Sequence, residues 1–152
     1  MKQTSERTWE TRHSAETAAG PQEVWARWED AGRWSEWSTG IGEAHLEGPF
    51  VPGTTALVRF RLGPRLRFLI TELEPGRSFT DEARLPLAWL VHEHRIEPRP
   101  GGCRLHHRLS LRGPLAPLYG LMVGRRLRAG LSTSVERLAK QSAASVPPMV
   151  LV

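Results

Sequence analysis

The sequence predicts an α+β fold: one strand, two short helices, an antiparallel meander of six more strands, and one long C-terminal helix. Three observations carry this prediction. Turn-forming residues punctuate positions 41–112 about every ten residues, at Gly48-Pro49, Pro52-Gly53, Gly63-Pro64, Pro75-Gly76, Pro86 and Pro100-Gly101-Gly102. Between them apolar residues alternate with arginine, as a sheet with one buried and one wet face requires. Val58, Phe60 and Leu62 alternate with Arg59 and Arg61, Leu66, Phe68 and Ile70 with Arg67, and Leu105, Leu109 and Leu111 with Arg104, Arg108 and Arg112. Beyond Gly113-Pro114 the period changes, and Leu118, Met122, Leu127, Leu131, Val135 and Leu138 recur at mainly helical spacing.

In chain order, residues 8–14 (TWETRHS) form the first strand. Gly20-Pro21 breaks it, and proline suits the first turn of a helix. That helix covers about 21–29 and carries Val24, Trp25 and Trp28 on one stripe, which we assign to helix-to-sheet packing. Asp30 is placed to cap a second short helix bearing Trp34 and Trp37 at i, i+3. The strands follow, and the long helix is expected over 114–141. Gly120, Gly124 and Gly130 lower its propensity, so each allows either a close approach to the sheet or a bend. Residues 142–152 form a tail with Pro147-Pro148 and an apolar end, after a single domain over 1–141.

Composition narrows the class. A chain of 152 residues with 39% hydrophobic and 24% charged residues is a single globular domain by size. One cysteine, Cys103, excludes an internal disulfide and fits a reducing compartment. We read it as an incidental thiol beside a turn. The N-terminus lacks the apolar core of a signal peptide. The longest mostly apolar run, Leu115 to Gly124, is too short to span a bilayer. A cytoplasmic protein without a transmembrane segment is expected. The formal charge is +5 and almost all of the positive charge is arginine, since Lys2 and Lys140 are the only lysines. The arginines are spread along the chain as a solvated sheet face. There is no zinc-finger spacing, RNP-like motif or basic tail, so no nucleic-acid partner is expected.

Four segments carry a family resemblance. Pro21 to Trp37 (PQEVWARWEDAGRWSEW) is similar to a "p.evW.l..D...W..W" pattern. Leu46 to Phe50, with Gly53-Thr54 after it, is similar to "l.GpF..Gt". Phe68 to Thr80 (FLITELEPGRSFT) resembles a strand–turn–strand "f.ItelePgrsft". His94, with Leu105 to Pro117 (LHHRLSLRGPLAP), resembles the ending "H.ie...g.trl.hr..l.Gpla". In this order, over about residues 8–140, they resemble the START/SRPBCC superfamily and, within it, polyketide cyclase/dehydrase-like members. The resemblance implies the helix-grip fold: a curved seven-stranded antiparallel sheet with the long C-terminal helix packed on its concave face, enclosing a cavity. It carries no metal or cofactor, and none is expected. The superfamily includes lipid carriers, hormone receptors, aromatase/cyclases and co-chaperone domains, so the fold leaves the function open.

Strand parity fixes which residues face that cavity, because a slip of one residue flips every side chain. A turn at Pro98 to Gly102 sets Ile96 opposite Leu105, His94 opposite His107 and His92 opposite Leu109. It also sets Glu97 opposite Arg104 and Glu93 opposite Arg108, and opposite charges across strands are favourable. A turn near Pro86-Leu87 sets Asp81 opposite His92 and Phe79 opposite His94. Asp81, His92, His94 and His107 therefore share the cavity side. They are either polar groups bonded to one another, water or backbone, or groups that orient a ligand, or, for Asp81 and His92, an acid/base couple. His92 and His94 at i, i+2 could also both reach a metal. Trp34, Trp37, Phe60, Phe68, Ile70, Phe79 and Met122 are the apolar candidates to line the cavity.

Three functions remain open at this point: binding of a small hydrophobic or aromatic molecule, a cyclase- or dehydratase-type enzyme, and a co-chaperone-like interaction module, in a monomer or homodimer. No nucleophile elbow or phosphate loop points to an enzyme. One outer-face feature stands apart. If the loop is Leu62-Gly63-Pro64, Arg61 lies opposite Arg65 and Arg59 opposite Arg67. Four stacked guanidiniums need compensation, from Glu72 or Glu82, or else form a site for an anion or acidic partner.

Overall fold

The computed structural model describes residues 8–146. The elements are β1 (Thr8–Thr17), α1 (Pro21–Glu29), a 3-10 helix (Ala31–Glu36), β2 (Ile41–Leu46), β3 (Thr55–Phe60), β4 (Arg65–Glu74), β5 (Ser78–Leu85), β6 (Ala88–Arg99), β7 (Gly102–Arg112) and α2 (Ala116–Ala144). All seven strands form one antiparallel sheet in the order β1-β7-β6-β5-β4-β3-β2. Strands β2 to β7 are a meander, and β1 pairs with β7, beside which α2 also packs. This is the helix-grip fold. The apolar-tail segment at 147–152 lies outside the described residues.

The helix after β1 starts where Pro21 and a cap allow it. The Gly20 N–H donates to Glu23 Oε1 at 2.8 Å, which satisfies an otherwise orphaned donor. The stripe of α1 buries Val24 and Trp28 completely. The 3-10 helix brings Trp34 back under α1, where its indole N–H donates to the Trp28 carbonyl at 2.8 Å. Asp30 flanks this helix but makes no side-chain cap.

The α2 glycines resolve in favour of close approach. A Cβ on Gly120 would sit 2.6 Å from Trp9 Cδ1, and one on Gly124 would sit 3.0 Å from Trp9 Nε1. The two glycines thus seat the Trp9 ring of β1 against an unbroken helix, and Arg128 lies over the same ring at 5.5 Å. Helix α2 continues three residues past the expected end, and Ser142 in that extension is fully buried. Alanines at 143 and 144 favour the added turn.

The β3–β4 register differs from expectation. Arg59, not Arg61, lies opposite Arg65, and Leu57 lies opposite Arg67. The reason is the turn. The Phe60 N–H bonds to the Pro64 carbonyl and the Arg61 N–H bonds to Gly40, so Arg61 leaves the ladder. The compensating acids also come from the other side. Arg59 pairs with Glu43 of β2 at 3.3 Å and Arg67 with Glu47, just past the end of β2, at 2.9 Å, rather than with Glu72 or Glu82. The Arg61 guanidinium donates to the Thr39 and Ser35 carbonyls. Three of the four arginines are thereby engaged within the chain, and the two opposed arginine pairs expected there reduce to one, Arg59 opposite Arg65.

Candidate functional site

Two adjacent rows cross the inner face of the sheet. One runs Phe79 (β5), His94 (β6), His107 (β7) and His13 (β1). The next runs Ile70 (β4), Asp81, His92, Leu109 and Thr11. Paired residues on neighbouring strands point the same way, so three histidines and a carboxyl meet in the apolar interior.

The histidines touch directly. His92 Nε2 lies 3.1 Å from His107 Nδ1, and the His94 Nδ1–H donates to the Phe79 carbonyl at 3.1 Å. The Phe79 ring stacks on His94 with centroids 3.8 Å apart, and His92 stacks on its other side at 3.9 Å. Trp28 closes over the group edge-on, 5.4 Å from His94 and 5.7 Å from His107, and Trp37 stands perpendicular to His107 at 6.3 Å. His94 and His107 are buried, and His92 is the most accessible of the three.

Burial sets the protonation of this cluster, because removing water penalises the charged form. Desolvation pushes the Asp81 carboxyl up to about 8, with a smaller push from Glu82 and a backbone hydrogen bond opposing it. Asp81 is then a neutral acid at pH 7. Desolvation lowers His92 to about 4. It holds His94 and His107 well below the usual imidazole range, with the neighbouring histidines adding to the effect. All three rings are neutral at pH 7.

Asp81 and His92 face each other across β5 and β6, but no hydrogen bond joins them; His92 bonds to His107 instead. Ile70 and Phe79 are buried beside the cluster. Phe60 and Phe68 pair edge-on with each other at 6.2 Å, on β3 and β4. Trp34 is buried and bonded to Trp28, so it braces α1. Met122 does not line the interior: it is 68% exposed, as are its neighbours Leu118 and Leu121 in part or in full. The helix is phased by Trp9, which claims the Gly120 and Gly124 face and turns Met122 to solvent.

Two further residues belong to the site. His13 of β1 sits opposite His107 and bonds through Nε2 to Glu136 of α2 at 2.7 Å. The parity of Thr11, Ala15 and Thr17, which are buried, puts His13 on the inner face. That alternation was visible in the sequence only with β1 extended to Thr17. Cys103 is buried, its Sγ–H donates to the Ala19 carbonyl at 3.3 Å, and burial raises its pKa. It is held as a thiol, which is the poor nucleophilic form. On the opposite face, Ser14 Oγ, His106 and Glu97 form a hydrogen-bonded line with two 2.8 Å links. It lies on the outer sheet surface, where no described residue encloses a reacting group.

Fold and interior together define a helix-grip protein with a neutral polar cluster inside an aromatic cage. Residues 8–143 match the family described as polyketide cyclase/dehydrase and lipid transport, and the chain belongs to that family. No curated protein sequence matches it significantly. Among solved structures, it resembles norcoclaurine synthase from Thalictrum flavum in complex with dopamine and hydroxybenzaldehyde, at 14% identity and TM-score 0.71, over 96% of this chain and 92% of that one. It also resembles the di-domain ARO/CYC StfQ from the steffimycin biosynthetic pathway, at 19% identity and TM-score 0.67, over 90% of this chain and 51% of that one. A third similar structure is Ara h 8.0201, at 11% identity and TM-score 0.67, over 91% and 100%. At these identities the likeness concerns the fold. No helix among the described residues is long and apolar enough to cross a membrane.

Proposed function

We propose that the protein binds a hydrophobic or aromatic small molecule, lipid- or polyketide-like, against the concave face, and orients it through Asp81, His92, His94 and His107. The observation that carries this reading is a set of buried polar atoms without a partner: Asp81 Oδ1, His107 Nε2 and the indole N–H groups of Trp28 and Trp37. Leaving such a group unsatisfied costs about 1–3 kcal/mol each, so a molecule that supplied partners to these four would gain affinity from them. Most of them are donors once Asp81 is protonated. The matching molecule therefore presents ketone or phenolic oxygens on a flat apolar frame, which the rings of Trp28, Trp37 and Phe79 would stack against.

A second reading, a cyclase- or dehydratase-type enzyme, is favoured by one feature. Asp81 is a neutral acid and His92 a neutral base in adjacent inward positions, and environments that push two pKa values apart assign an acid and a base. The test separates the two readings. Tryptophan fluorescence should be quenched saturably by members of a panel of bicyclic and tricyclic phenols and quinones. The parent hydrocarbons, which lack oxygen, should bind at least about tenfold more weakly, since one lost hydrogen bond to a buried group is worth that much. Equal binding of the hydrocarbons, or no saturable quenching by any member, would reject the binding reading. For the enzyme, His92→Phe should abolish turnover while leaving binding largely intact. Equal loss of both would make His92 a binding residue only.

A further inference from the structure

We propose that His92, His94 and His107 form a site for one divalent transition-metal ion, of the zinc type. Each of the three offers one ring nitrogen, and these nitrogens lie within 4.8 Å of one another. Two imidazoles on a tetrahedral zinc-like ion, with metal–nitrogen bonds of about 2.0–2.1 Å, have nitrogens roughly 3.3 Å apart. His92 Nε2 and His107 Nδ1 are already 3.1 Å apart, so the pair needs almost no movement to share an ion in place of a proton. His94 needs a shift of up to roughly 1.5 Å to reach the same spacing, together with a rotation of the ring that now stacks on His92.

Three further features fit. His94 donates its Nδ1–H to the Phe79 carbonyl, which fixes the tautomer and leaves Nε2 as a lone pair. A ligand histidine in metalloproteins is oriented by such a bond on its other nitrogen. The rings sit on β6 and β7, strands paired on both sides, rigid elements that hold their spacing. They are neutral, so binding needs no net loss of a ring proton; the proton between His92 and His107 only has to move to the other nitrogen of its own ring. Three imidazoles and no carboxylate select zinc, cobalt, nickel or copper over calcium and magnesium, which prefer oxygen. Three protein ligands leave one tetrahedral position open. His92, as the most accessible ring, lies on the side from which an ion would enter.

The site shares its residues with the ligand reading above but does not need an organic molecule, so either can fail alone. The experiment titrates the chelator-stripped full chain with Co2+, which absorbs strongly in the visible when tetrahedral. One equivalent per chain should saturate the band, and Zn2+ should displace it. His92→Gln and His107→Gln should each weaken Co2+ binding at least about tenfold, judged on variants that still unfold cooperatively. A second readout needs no variant: imidazole 15N shifts on Zn2+ addition should move for His92, His94 and His107 and not for His45 or His106. Substoichiometric binding, binding untouched by His92→Gln, or shifts confined to His13, His45 and His106 would overturn the proposal. If the phenol panel still binds the metal-free chain in that case, the ligand reading stands on its own.

Discussion

Replacing Trp28 with alanine should cost about 3–5 kcal/mol of stability, the range for a fully buried large aromatic. Trp28 is 0% exposed and is the joint between α1 and the sheet. Its ring meets Trp25 at 6.0 Å, Phe79 at 5.4 Å, His94 at 5.4 Å and His107 at 5.7 Å. Truncation leaves a void lined by these rings and opens the histidines to water. For a domain of this size the melting temperature should fall by roughly 6–20 °C. Trp28→Phe should recover most of the loss, because it keeps an aromatic ring and removes an indole N–H that has no partner. Thermal and urea unfolding of both variants give the comparison. A cost below about 1 kcal/mol for alanine would mean that the interior is not organised around this ring.

The stability of the metal-free chain should pass through a maximum near pH 6–6.5. His92 drops from 6.5 unfolded to about 4 folded. Between these values the unfolded chain binds a proton that the folded chain refuses, so stability rises with pH. His92 alone contributes roughly 3 kcal/mol across that window, and His94 and His107 shift in the same direction. Asp81 acts with the opposite sign. Its carboxyl goes from 3.8 to about 8, so the folded chain keeps a proton that the unfolded chain has lost, and stability falls as pH rises. Below 6.5 the three histidines outweigh it. From 6.5 to 8 it acts alone and should lower stability by roughly 2 kcal/mol. Asp81→Asn should flatten that upper limb and steepen the lower one, where the carboxyl had opposed the histidines. Urea titrations in the presence of a chelator, at half-unit pH steps, give the profile. A flat upper limb in the wild-type chain would show that Asp81 ionises without penalty.

Much of this site was legible in the sequence, for a definite reason. Glu97 with Arg104 and Glu93 with Arg108 fix one register for β6 and β7, and that register carries His94 opposite His107 and His92 opposite Leu109. Where the turn was short and bounded by proline and glycine, parity alone sufficed. It failed at β3–β4, where the longer turn drew Arg61 out of the ladder. A slip of two residues keeps every side chain on its face, so the apolar alternation gave no warning. The phase of α2 was also hidden. Leu118, Met122 and Leu127 read as one stripe, but the helix seats Trp9 on Gly120 and Gly124, and a pair of glycines announces no face until its partner is known. The absent hydrogen bond between Asp81 and His92 is a matter of rotamers, which strand pairing does not set. His13 with Glu136 joins elements more than a hundred residues apart, beyond the reach of any local pattern.

The most direct test of the ligand reading is native mass spectrometry of the full chain, both as purified without added ligand and after incubation with the phenol and quinone panel. The expected result is a population carrying the mass of one small molecule per chain, lost on denaturation and reduced in Phe79→Ala, which removes the ring stacked on His94. The chain mass alone in every sample, in a protein that remains folded, would contradict the claim that this interior is a binding site.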